Sequence, residues 1–111
     1  MELLVIILNK TECLDELLKK LAESNIKGAT ILDSRGLAQT LIENDEFRFV
    51  ASLRKLLDPC HKENKTIFMV IEKEKISTVS KIVNEVTGGL SKPDTGVIFT
   101  LPVNYCEGFT V

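Results

Sequence analysis

The sequence predicts an α+β domain with a four-stranded antiparallel sheet. Three observations carry this. Four short apolar or β-branched runs, "ELLVIILN", "GATILDSR", "TIFMVIE" and "GVIFTLPV", are spread along the chain. Helical apolar spacing fills the gap between the first and second runs, and again between the third and fourth. Gly-, Pro-, Ser- and Asp-rich stretches punctuate these segments.

Residues 2–9 form the first strand. Thr11 is a candidate N-cap, and Glu12, Asp15 and Glu16 fall in the first helical turn, where acids suit the positive end of the helix dipole. Leu14, Leu17, Leu18 and Leu21 make one apolar face, and Asn25 is a plausible stop. Residues 28–35 are the second strand, closed by Gly36, a glycine whose place at a turn suits a positive φ.

Residues 37–65 are less regular. Phe47, Val50, Leu53 and Leu57 fit one short helix ending before Pro59, and a connection of this length in a small domain is usually functional or mobile. Residues 66–72 give the third strand. Residues 73–86 give the second helix, with Ile76, Val79, Val83 and Val86 on one face. The loop "TGGLSKPDT" at 87–95 leads into the fourth strand, 96–103, and the tail "NYCEGFTV" is a candidate edge segment. The order βαβ, long connection, βαβ is that of a ferredoxin-like βαββαβ sandwich with both helices on one sheet face. "LLVIIL" and "IFMVI" are apolar at nearly every position, which suits strands covered on both faces. Two helices cover only one face, so the pattern predicts that another subunit covers the other.

Composition narrows the function. The 111 residues fit one domain, 1–111, and the 44% hydrophobic and 27% charged shares fit a folded globule. The net charge of −2 comes with no basic block, so no nucleic-acid partner is expected. "LLVIIL" is too short to span a bilayer and follows Glu2 without a basic segment, so the expected location is cytoplasmic. Cys13, Cys60 and Cys106 form no CxxC pair and predict no disulfide framework.

Two stretches carry a family resemblance. "NIKGATILDSRGLAQ", residues 25–39, and "TGGLSKPDTGVIFTLPV", residues 87–103, resemble the PII-like signal-transduction proteins of the nitrogen regulatory PII superfamily. "KTECLDELLKKL" matches the family's first helix more loosely. The first stretch corresponds to the second strand and the start of the T-loop, the second to the B-loop and last strand. The segment 37–65 stands where the T-loop does and diverges from it. The resemblance implies a homotrimer that binds a small-molecule effector, often an adenine nucleotide, in clefts between subunits. Closure of the T- and B-loops over the ligand then reports its presence to a partner such as a membrane transporter or an enzyme, a shift between loop populations.

The chain departs from the family at the charged positions. Ala38 replaces a T-loop glycine, Val97 replaces a B-loop lysine, and the basic pair beyond Pro-Val falls at Gly108 and Thr110. Three cationic phosphate contacts are thereby lost, so a mono- or diphosphate nucleotide or another small anion fits better than a triphosphate. The branch it resembles most is the divergent one found beside transport systems.

The candidate ligand residues are Thr30, Arg35, Gly36, Ala38, Gly88, Gly89, Lys92, Thr95 and Gly96. Gly88, Gly89 and Gly96 either bring backbone N–H groups to a phosphate or serve as a helix C-cap and the start of a strand. Lys92 and Arg35 are either phosphate partners or solvated surface charges, with Lys65 a weaker third. Thr30 aligns with the family's adenine or ribose contact, or is present for its β-propensity. Asp94 and Thr95 read as a turn. Phe47, Phe49 and Leu53 are either a partner surface or core. No nucleophile–base set or paired carboxylate stands out, and His61 is the only histidine, so a regulatory role is expected rather than an enzymatic one. The alternative is a metal-binding, cation-tolerance-type trimer of the same fold, built on Cys60, His61 and Glu63.

Overall fold

In the computed structural model, which describes residues 1–37, 40 and 63–108, six elements follow the predicted order. They are β1 (Glu2–Leu8), α1 (Leu14–Glu23), β2 (Ala29–Ser34), β3 (Asn64–Ile71), α2 (Ile76–Thr87) and β4 (Gly96–Pro102). The strands lie in the order β2-β3-β1-β4, and each neighbouring pair is antiparallel. This is the ferredoxin-like α+β arrangement.

Both helices cover the same face. Leu17 and Leu21 of α1 and Val79, Ile82 and Val83 of α2 pack with Leu4, Ile6 and Leu8 of β1 and Ile67, Met69 and Ile71 of β3 in one buried core. Leu14, Ile76 and Val86 pack on its margin, while Leu18 stays half-buried outside it. Ile82 and Thr87 join the buried face of α2, which is therefore broader than the predicted stripe.

The start of α1 differs from expectation. Thr11 is not its N-cap: a 3₁₀ turn, Thr11–Cys13, precedes the helix, and no side chain caps it. The Thr11 N–H instead donates to the Asn9 carbonyl at 2.9 Å. The other end is as expected. Asn25 takes a left-handed φ of 66°, its N–H donates to Ala22 O at 3.0 Å, and the Ile26 N–H reaches back to Leu21 O at 2.9 Å. Leu21 and Ile26 are both buried, which completes the hydrophobic contact of a Schellman-type stop. Gly36 does not need a positive φ; its φ lies outside the left-handed region, and its carbonyl accepts from the Thr40 N–H and hydroxyl at 3.1 and 3.0 Å. The tail adds no strand among its described residues, although Val103 N extends the pairing by one bond to Met1 O at 3.2 Å. The predicted helix around Phe47 lies outside the described residues, as do Phe49 and Leu53.

The second sheet face carries no layer from the described chain. Strand alternation places Leu3, Val5 and Ile7 of β1 there, flanked across the register by Phe68 and Val70 of β3 and by Val97, Phe99 and Leu101 of β4. Leu32 and Thr30 of β2 extend it to the edge. None of the described strand residues on this face is charged. Val5 is only 4% exposed because Phe68 and Phe99 sit directly opposite it on either side. Further out the cover fails: Leu32, Val97, Phe99 and Leu101 are each more than 40% exposed.

Candidate functional site

The two loop regions picked out by the sequence lie at one end of the sheet. β2 ends there at Ser34, β3 begins at Asn64, and Leu8 of β1 pairs with Gly96 of β4.

The loop after α2 is held by its own hydrogen bonds. Gly88 is the left-handed C-cap of α2, with φ 87°, and its N–H donates to Asn84 O at 3.1 Å. The Asn84 side chain takes the next free donor: its Oδ1 accepts from Leu90 N at 2.9 Å while its Nδ2 donates to Ser80 O at 2.8 Å. Thr87 is buried, donates to Val83 O at 2.7 Å and accepts from Gly89 N at 3.3 Å. Lys92 N donates to Gly89 O at 3.2 Å. The N–H groups of Gly88, Gly89, Leu90 and Lys92 are thus all used inside the loop. Gly88 and Gly89 are accounted for by their positive φ values and this capping.

Gly96 is a glycine for a steric reason. A Cβ there would lie 2.6 Å from the Ile7 carbonyl oxygen and 3.4 Å from the Leu8 Cα. The carbonyl of the preceding Thr95 accepts from both Asn9 N and Lys10 N at 3.0 and 3.1 Å, which fastens the loop to the end of β1. The Thr95 side chain is buried and donates to Pro93 O at 3.2 Å. It faces inward, away from any ligand in solvent.

Two cations at this end, Lys10 and Lys92, gather on the C-terminus of α2. Lys10 Nζ donates to Thr87 O at 3.1 Å, and Lys92 Nζ lies 3.5 Å from where a Gly88 Cβ would stand. Positive charge there complements the negative end of the helix dipole. Lys92 is exposed, so its ammonium can swing to an anion without breaking a buried contact. Neither Lys10 nor Asn84 stands out in the sequence as a residue of this end. An amide four positions before a Gly-Gly pair is a faint local signal; Lys10 has none, since its partner is 77 positions away.

Thr30 stands on the exposed uncovered face opposite Phe68, and Arg35 and Gly36 follow the end of β2 in exposed positions. Ala38 lies outside the described residues. Between Thr30 and the loop end, Ser34 Oγ lies 2.7 Å from Thr66 Oγ1 and also donates to the side chain of Asn64. These groups give the uncovered face a polar rim at the loop end. Lys65 is committed elsewhere. It is paired with Asp33, and that hydrogen bond, reinforced by the charges of Asp33 and Glu63 against partial desolvation, holds its ammonium above the ordinary value of 10.5. Register alternation puts that pair on the face opposite Thr30.

Within one chain these candidates form two groups. Thr30 lies in edge strand β2, and Arg35 and Gly36 directly follow it. Gly88, Gly89, Lys92, Thr95 and Gly96 belong to the approach to the other edge strand, β4. Three strand steps separate these edges, about 14 Å. A single chain does not bring the two groups together.

Cys60 and His61 of the candidate metal set lie outside the described residues, and no group of three metal-binding side chains occurs among the described ones. Among the described residues no helix is long and apolar enough to cross a membrane. Comparison of the sequence with models of known protein families gives no match, and comparison with curated proteins gives none either.

Proposed function

We propose that this chain is a ligand-responsive regulatory protein of the PII-like kind that its two loop stretches resemble. It acts as a homotrimer in the cytoplasm, with copies joined through the uncovered sheet face. The β2 edge of one copy, bearing Thr30, Arg35 and Gly36, meets the Gly88–Gly96 loop of its neighbour. A small anionic effector, an adenine nucleotide first among them, binds in the cleft so formed. Its occupancy alters the loops and is read by a transporter or an enzyme. The role is regulatory, without catalysis.

The observation that supports this most is the division of the candidate residues between opposite sheet edges, with an uncharged apolar face between them. Burying such a face gains about 25 cal/mol per Å². The polar rim of Ser34, Asn64 and Thr66 suits the border of that interface, where a ligand and solvent enter. The internally satisfied loop fits a ligand held by side chains and by rearranged loop N–H groups, not one cradled by the loop as it stands.

Calorimetry with ATP, ADP, AMP and cyclic AMP, with and without magnesium, tests the reading. Binding of one of them at about micromolar Kd, lost in Lys92→Ala or Arg35→Ala, is expected. No heat from any of the four removes the nucleotide from the proposal.

A further inference from the structure

The opposite end of the sheet holds a cavity of about 380 Å³. It lies between the α1–β2 connection and the β3–α2 connection. Ile26, Met69 and Ile71 give it an apolar floor continuous with the core, and Lys27, Lys75 and Glu72 stand around it. The volume falls within the range of small-molecule sites, about 300–1,000 Å³.

Two features suggest a ligand and its class. The first is charge. Lys75 is half-buried and Lys27 exposed; the Lys75 backbone N–H donates to Glu72 O at 3.0 Å, but among the described residues neither lysine ammonium pairs with the Glu72 carboxylate. Two lysine ammoniums stand against one carboxylate, and the amino group of Met1, also in the lining, adds to them, so the charge beside the apolar floor is net positive. The second is Gly28 in the wall. Its φ lies outside the left-handed region, and a Cβ there would meet nothing within 4 Å. Neither strain nor crowding within the described chain calls for glycine; the absent side chain leaves the space open.

We propose that this cavity binds a monocarboxylate with a hydrocarbon body, its apolar part on Ile26, Met69 and Ile71 and its carboxylate between Lys27 and Lys75. A carboxylate suits the net positive lining, and Glu72 repels a monoanion less than it would a phosphate dianion. The site is at the far end of the sheet from the loops and does not rest on the nucleotide reading.

Titration of the ¹⁵N-labelled full chain with octanoate, 1-octanol and octyl phosphate tests this. Octanoate should bind in the roughly millimolar range or tighter, shifting the amides of Gly28, Ile71 and Glu72. Lys27→Ala/Lys75→Ala should weaken it by about threefold to tenfold, as for partly exposed ion pairs, and Glu72→Gln should tighten it. Octanol binding as tightly as octanoate, tighter binding of octyl phosphate, or unchanged octanoate affinity in the double lysine variant overturns the carboxylate assignment. Absence of saturable shifts, or shifts confined to the loop end, overturns the site. Thermal unfolding of the variants checks that they remain folded.

Discussion

A side chain on Gly96 would run into Ile7: the added Cβ would lie 2.6 Å from the Ile7 carbonyl oxygen. The crowding is against backbone of β1, one of the two inner strands, which has little room to retreat. Gly96→Ala should therefore cost about 1–3 kcal/mol, the usual penalty for overpacking. Gly28→Ala meets open space at an ordinary φ and should change stability by less than about 0.5 kcal/mol, or raise it slightly. Urea denaturation of both variants checks the contrast; equal effects would contradict it.

Asn84 ties the loop to α2 through Leu90 N. Asn84→Ala leaves that N–H without its partner and should cost about 1 kcal/mol. The loss should be local. Hydrogen exchange should accelerate at Leu90 and its loop neighbours while the Leu4 and Ile6 amides keep their protection. Uniform acceleration would mean that the loop is not an independent unit.

The Lys65–Asp33 pair gives an alkaline signature. The Lys65 pKa is raised in the folded chain, so its stabilising effect is fully present below the unfolded value and fades as pH rises through the higher folded one. Stability measured upward from pH 10.5 should fall more steeply in the native chain than in Lys65→Gln. Near neutrality the two pH profiles should run parallel.

If the effector cleft joins two copies, variants damaged on opposite edges should complement one another. Arg35→Ala chains retain Lys92, and Lys92→Ala chains retain Arg35. Random mixing of the two restores about a quarter of the clefts when each cleft draws on two copies. Nucleotide binding should return on refolding the two together and stay absent when each is refolded alone.

The separation of these edges was not legible in the linear sequence. Apolar spacing located the strands and helices because Leu17, Leu21, Val79 and Val83 repeat at helical intervals and really do face the core. Asn25 was legible as a stop because few residues besides glycine take a left-handed φ so readily. Thr11 misled because a 3₁₀ turn, not a side-chain cap, leads into α1. The bond from Lys10 to Thr87 and the crowding of Gly96 by Ile7 arise from strand pairing between distant segments, which local pattern does not record. The cavity under Gly28 is likewise made by two connections far apart in the chain.

The central claim is that the uncovered face joins three copies. Light scattering on the eluting peak during size-exclusion chromatography tests it most directly. The expected mass is three times the chain mass of 12.4 kDa, falling toward one chain when Phe99→Glu and Leu101→Glu place charges on that face. A native protein that elutes at the mass of one chain across concentrations, with Phe99 and Leu101 open to solvent, would contradict it.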